Sequence, residues 1–160
     1  MTARIRVVFV CLGNICRSPL AEGAFRHHVE RAGLSHAFEI DSAGTAGYHA
    51  GEPPDPRSVQ EAHRQGVDIS RQRSRKLVAS DLDQFDYVLA MDRSNQRNIQ
   101  TLAKGAVRAE IGLMLAEGRS SRTEVPDPYY GGDQGFSAVW KMVDVATAAL
   151  LERIRTERGL

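Results

Sequence analysis

Cysteine, net charge and long apolar runs are all scarce in this sequence, and each scarcity removes a class of protein. Only two cysteines occur in 160 residues, Cys11 and Cys16. Standing so close together they are poorly placed to staple a fold, and they suit reduced, reactive thiols. Lys and Arg number 21 against 20 Asp and Glu, a formal net charge of +1, so no global field draws the chain to nucleic acid or an anionic membrane. Any selectivity for anions has to be local. The longest apolar stretch, Val7 to Leu12, is far too short to span a bilayer. No apolar run followed by small-residue cleavage chemistry marks a signal peptide, and the expected location is the cytoplasm. The histidines His27, His28, His36, His49 and His63 show no metal-ligand spacing, and no zinc or calcium motif occurs. Neither a metal nor another cofactor is expected. Repeats, low-complexity tracts and interdomain linkers are missing as well, and residues 1–160 read as one domain around one core.

What the chain does have is an alternation of strand and helix patterns from end to end, which predicts an α/β layer fold with a mainly parallel sheet. Ile5, Val7, Val8, Phe9 and Val10 form a first strand buried on both faces. Ser18 is placed as an N-cap with Pro19 at the first helical position, and Leu20, Ala24, Phe25, Val29 and Ala32 follow at helical spacing until Gly33. Phe38 to Ala43 reads as a second strand and Gly44 to Pro54 as a loop, after which Asp55-Pro56 restarts a helix that stops at Gly66. A short turn capped by Ser80 or Asp81 leads into a third strand, Tyr87 to Met91, and Asp92 caps a helix ended by Gly105. Val107 to Leu115 is ambiguous between strand and helix. The alternation favours a strand in its first half. Residues 118–123 read as a polar surface loop, and Phe136, Val139, Trp140, Val143, Ala146, Leu150 and Ile154 make the clearest amphipathic helix.

Between the first strand and first helix stands Cys11-Leu12-Gly13-Asn14-Ile15-Cys16-Arg17-Ser18. Such a connection can curl so that backbone N–H groups, the helix dipole and a guanidinium face one point that suits a phosphate dianion. A thiol at that point feels the same field, and thiols beside helix N-termini and cations ionise more readily than free cysteine. The bland reading of Cys11 is a small residue finishing a buried strand, and that of Arg17 a surface cation. The planar fork of Arg17, however, matches two oxygens of a transferring phosphoryl group. Gly13 and Asn14 are residue types that tolerate left-handed backbone. Ligands of open α/β sheets bind beyond the carboxyl ends of strands, where the segments Ala43-Gly44 and Met91-Asp92 also fall.

The loop from Cys11 to Ser18 resembles the signature loop of the low-molecular-weight protein tyrosine phosphatases, and Asp127-Pro128-Tyr129-Tyr130 resembles that family's second motif. Asp41-Ser42-Ala43-Gly44-Thr45 and Met91-Asp92-Arg93-Ser94-Asn95 resemble further family segments in the family's order. The resemblance implies a single-domain three-layer α/β/α sandwich with a central four-stranded parallel sheet and a phosphate loop of Leu12, Gly13, Asn14, Ile15, Cys16, Arg17 and Ser18. It implies hydrolysis of phosphotyrosine in proteins through a phosphocysteine on Cys11, with Arg17 binding the phosphoryl group and Asp127 as the acid. A phenolate departs poorly unless a proton arrives as its bond breaks, and an aspartic acid that must be protonated first puts the optimum on the acid side of neutral.

Further roles follow from the same resemblance. Ser18, a helix cap on the residue reading, donates to the Cys11 thiolate on the family reading. Asn14, Ser42, Asp92 and Asn95 support the loop, and Gln72 stands where many relatives carry a supporting histidine. Leu12, Ile15, Tyr48, His49, Tyr129 and Tyr130 wall a cleft deep enough for a phenyl phosphate, although the two tyrosines also suit simple packing. Cys16 is either a packed small residue or a resolving thiol for oxidised Cys11. Arg71, Arg73, Arg75 and Lys76 form a solvated face or steer acidic phosphopeptides. Expected partners are phosphotyrosine-containing proteins, a tyrosine kinase among the candidates, with no nucleic acid and no membrane, the chain itself being a monomer or weak dimer. Two competing readings are a thioredoxin-coupled arsenate reductase, for which relay cysteines beyond Cys16 are missing, and a phosphotyrosine-binding module without turnover.

Overall fold

A computed structural model describes residues 3–116 and 123–160. Its framework is a parallel sheet in the spatial order β2-β1-β3-β4, made from β1 (Ile5–Cys11), β2 (Phe38–Gly44), β3 (Tyr87–Ala90) and β4 (Glu110–Leu113). The helices are α1 (Arg17–Arg31), α2 (Pro56–Arg64), α3 (Asp81–Gln84), α4 (Arg93–Leu102) and α5 (Asp133–Arg158). Because successive strand residues face opposite sides, β1 serves two cores at once. Val7, Phe9 and Cys11 pack with Leu20, Phe25, Trp140, Val143 and Leu150 of α1 and α5. Val8 and Val10 pack with Leu82, Phe85, Val88 and Ile99 on the side of α3 and α4. The result is three layers with Val7 to Cys11 of β1 covered on both sides, as that apolar run requires.

Register places the functional ends together. Cys11 pairs with Gly44, and Val10 is level with Ala90, which is level with Leu113. Beyond these ends the chain enters the loop before α1, the Gly-rich segment after β2 and the Asp92 cap of α4. Asp92 caps as expected, its carboxylate accepting from Asn95 N at 2.7 Å. Asp55 caps α2, accepting from Arg57 N at 2.8 Å with Pro56 at the first helical position.

Two local expectations are corrected. Ser18 is not the cap of α1: the helix starts at Arg17, Cys16 occupies the cap position, and no side chain caps it. The Ser18 hydroxyl is committed elsewhere, and the first N–H groups of α1 remain available for an anion. In the ambiguous stretch the strand occupies Glu110–Leu113, later than the first half. Arg108 is held by its side chain to Asp86 at 2.8 Å, and pairing with β3 begins where Glu110 N donates to Asp86 O at 2.9 Å. The predicted loop at 118–123 lies outside the described residues up to position 122. Among the described residues no helix is long and apolar enough to cross a membrane.

Candidate active site

Cys11 ends β1 with its side chain buried, at 2 % exposure. Its Sγ receives the N–H of Asn14 at 3.3 Å and lies 3.1 Å from Ser18 Oγ. Asn14 has φ +57°, the one positive φ outside glycine among the described residues, and this turn aims its N–H back at the sulfur. Gly13 does not share that conformation. Its lack of a side chain serves close approach instead, since a Cβ there would meet the His49 ring at 3.1 Å. Gly44 answers a similar need, because a Cβ would stand 2.8 Å from Leu12 O.

The Asn14 side chain is the hub of the support. Its Nδ2 donates to Ser18 Oγ at 2.9 Å and Ser42 Oγ at 3.0 Å, while its Oδ1 accepts from Arg75 N at 3.0 Å. Ser42 in turn donates to Glu22 Oε1 at 2.8 Å. Since Ser18 Oγ accepts from Asn14, its own proton is free for the sulfur at 3.1 Å, the alternative carbonyl of Ala43 being 3.5 Å away. Ser74 Oγ ties down Gly13 O at 3.0 Å. Glu22 and Ser74 were missed in the sequence, where they lack a local signal, and Arg75, read there as part of a solvated or steering face, pairs its guanidinium with Asp41 at 2.9 Å and Asp81 at 3.0 Å. Burial pushes the Glu22 carboxyl above its ordinary range, against the opposing pull of Ser42 and Arg26.

Arg17 lies under the loop at 3 % exposure, its Nη1 donating to Asp92 Oδ2 at 2.6 Å and to Val125 O at 3.0 Å. Burial alone would lower this guanidinium, but the negative charge that Cys11, Asp92 and Asp127 can place beside it outweighs burial and holds the group above its ordinary value. Asp127 Oδ2 stands 3.7 Å from Arg17 Nη2, and its Oδ1 accepts from Tyr129 N at 3.0 Å in an Asx turn. The carboxylate remains open to solvent at the rim.

These residues share one cleft of about 190 Å³, lined by Cys11, Leu12, Gly13, Ile15, Cys16, Arg17, Tyr48, His49, Asp127, Tyr129 and Tyr130. All six predicted wall residues are therefore brought to it. The Tyr129 and Tyr130 rings meet edge to face with centroids 4.9 Å apart, and His49 Nδ1 is paired with Glu52 at 2.6 Å. Cys16 is buried, and burial followed by the charge of Asp55 pushes its thiol up to about 12. A larger depression of about 480 Å³ beside α1 is lined by Glu22, Arg26, Glu30, Asp68 and Arg71 among others. Its lining contains no cysteine and none of the residues of the phosphate loop.

Two predicted supports are placed differently. Gln72 does not reach Asn14: its Nε2 donates to Pro19 O at 3.2 Å, bracing the first turn of α1. Ser42 and the main chain of Arg75 occupy the Asn14 amide instead. Asn95 meets Asp92 through its backbone N–H, while its buried side-chain Oδ1 has no partner. Among the described residues no group of three or more His, Cys, Asp or Glu side chains is arranged to hold a metal ion.

Comparison with known proteins gives the same picture over the full length. Residues 6–159 match the family model described as low molecular weight phosphotyrosine protein phosphatase. A protein of that name from Schizosaccharomyces pombe is 48% identical over 139 residues, 85% of this chain and 88% of the relative. The crystal structure of YfkJ from Bacillus subtilis superposes with a TM-score of 0.92 at 36% identity, covering 98% of both chains. That of a protein tyrosine phosphatase from Entamoeba histolytica, with Hepes in its active site, gives 0.90 at 36% identity over 97% of this chain and 98% of its own. With the signature loop, its distant aspartate and the sheet order all in place, the chain belongs to the low molecular weight phosphotyrosine protein phosphatase family.

Proposed function

We propose that Cys11, Arg17 and Asp127 carry out the hydrolysis of protein phosphotyrosine in two displacements at phosphorus. The phosphoryl oxygens are held by Arg17 and by the N–H groups of the loop and of the first turn of α1. The Cys11 thiolate, stabilised by the Asn14 N–H and the Ser18 hydroxyl, attacks in line. A sulfur–phosphorus bond forms as the bond to the tyrosyl oxygen breaks, and Asp127 gives that oxygen its proton. Asp127, now ionised, takes a proton from water as the water oxygen bonds to phosphorus, and the thiolate leaves. The charge of the transferring group is met throughout by the guanidinium and amides.

The observation that carries this reading is the sulfur at the floor of a cleft that Arg17 and Asp127 also line, beneath a wall of tyrosines. A flat aryl phosphate spans from wall to floor, whereas phosphoserine is too short. The test is a pH–rate series on phosphotyrosine, phosphoserine and phosphothreonine peptides with chelator present, together with acid trapping during turnover. Phosphate on Cys11 and selectivity for phosphotyrosine support the reading; turnover that survives alkylation of Cys11 ends it.

The same reading makes phosphotyrosine proteins the partners, tyrosine kinases among them, and neither nucleic acid nor membrane, in keeping with a net charge of +1. It places the chain in the cytoplasm as a monomer or weak dimer. Cys16, which lines the same cleft as Cys11, captures an oxidised Cys11 as a disulfide. Peroxide treatment followed by mass spectrometry of the Cys11–Cys16 peptide tests this.

A further inference from the structure

The first turn of α2 touches both halves of the active site. Asp55 N donates to Ile15 O at 2.8 Å and Ser58 Oγ to Cys16 O at 3.3 Å, so this turn is fastened to the phosphate loop. Arg57, between them, reaches the opposite way. Its Nη2 donates to Tyr129 O at 2.9 Å and its Nη1 to Gly131 O at 3.3 Å, the main chain just beyond Asp127. The other edge of the guanidinium is clasped by Asp55, with Nε to Oδ1 and Nη2 to Oδ2 both at 3.0 Å. The flat of the group lies 4.6 Å from the centroid of Phe136 and 5.6 Å from that of Tyr129.

We infer that Arg57 is a positioning residue for proton transfer, a strut that sets the distance of the Asp127 carboxyl from the leaving oxygen by tying its loop to the phosphate loop. The inference rests on the reading of Asp127 as the acid. Only a planar group with five donors can hold a carboxylate on one edge and two carbonyls on another while stacked between rings. The phosphate-holding groups are tied down without it: Arg17 is gripped by Asp92 and Val125, and the phosphate loop is fastened to α2 through Asp55 N and Ser58 Oγ. Loss of Arg57 therefore weakens protonation of the leaving group and leaves phosphate binding intact.

The test compares kcat/KM on phenyl phosphate, whose poor leaving group needs the acid, with that on 4-nitrophenyl phosphate, which needs it less. Arg57→Met keeps apolar bulk on Phe136, and Arg57→Lys keeps the charge without the fork. For Arg57→Met the expected loss is roughly 10- to 100-fold on phenyl phosphate and below about 3-fold on nitrophenyl phosphate. Arg57→Lys falls between it and the parent, and inhibition by inorganic phosphate is unchanged. Equal losses on both substrates, or a phosphate inhibition constant that rises in step, overturn the inference. Should the methionine variant fail to fold, as shown by its melting curve, the lysine variant decides on the same two substrates. Asp127→Ala is measured alongside. If it discriminates between the substrates and the Arg57 variants do not, only the strut fails; if it does not, the acid assignment falls first.

Discussion

Arg17 and Asp92 lie 75 positions apart in the chain and are joined by a hydrogen-bonded ion pair of 2.6 Å between Nη1 and Oδ2. The other carboxylate oxygen of Asp92 caps α4, so one side chain orients the phosphate-binding guanidinium and starts a helix.

The two duties of Asp92 can be separated. Asp92→Asn retains a capping oxygen but loses the charge-assisted bond, worth about 1.5–3 kcal/mol. Its kcat/KM is expected to fall roughly 10- to 100-fold with weaker inhibition by phosphate and a nearly unchanged melting temperature. Asp92→Ala adds a destabilisation of about 1 kcal/mol. A variant Asn enzyme with parental phosphate inhibition would show that Val125 alone suffices to orient Arg17.

Cys11→Ser should abolish turnover while inorganic phosphate still protects the site, because the loop amides and Arg17 remain. Asp127→Ala should lower the rate by about 10² to 10⁴ on phenyl phosphate and less on nitrophenyl phosphate. Steady-state kinetics with both substrates checks each, and equal losses would remove Asp127 from the acid role.

Asn14 combines a left-handed backbone with three side-chain bonds. Asn14→Ala is expected to cost about 1–2 kcal/mol from backbone strain and roughly 1 kcal/mol for each lost bond. Asn14→Gly relieves the strain without restoring the bracing. Denaturant melts should then rank glycine above alanine in stability, while activity stays low in both. Recovery of activity in the glycine variant would mean that backbone shape, not bracing, is what Asn14 supplies.

Glu22 gives a pH signature. Burial raises its folded carboxyl above the ordinary 4.5, so the native state holds this proton more tightly than the unfolded chain does. The associated stability is complete below the ordinary value and is lost as pH rises through the folded one. Glu22→Gln, which can still accept from Ser42, removes that loss. Its melting temperature relative to the parent should climb as pH rises above the ordinary 4.5. A difference that shrinks over this range would contradict the burial argument.

Cys16, pushed from the ordinary 9.0 up to about 12, stays a neutral thiol at neutral pH. Iodoacetate at neutral pH should therefore label Cys11 alone, with activity lost at one label per chain and phosphate protecting. Comparable labelling of Cys16 would refute this. By the same sign as Glu22, its contribution to stability is present below 9.0 and lost as pH rises toward 12.

The parts of the fold that could be read from the chain are those whose own residues decide the outcome. β1 is an unbroken apolar run from Val7 to Cys11 and α5 a long amphipathic pattern, so each has one plausible structure. β4 is short, contains Gly112, and its limits are set by pairing with Tyr87 to Ala90, which no local pattern records. Ser18 followed by Pro19 imitates a helix start; contact with Cys11 and Asn14 decides its role instead. The family resemblance led to Cys11, Arg17 and Asp127 because their motifs are contiguous. Glu22, Arg57, Ser74 and Arg75 act from helix and loop positions that any surface residue could hold, and only the closed tertiary structure brings their partners to them.

The carbonyl of Val125 that receives Arg17 has a consequence for a polypeptide made from its amino end. A growing chain carries its sulfur early, yet the guanidinium beside it gains Asp92 only past the midpoint of synthesis and the carbonyl of Val125 later still. The phosphate-binding end of the cleft is thus completed from the far end of the chain, after the sulfur it serves.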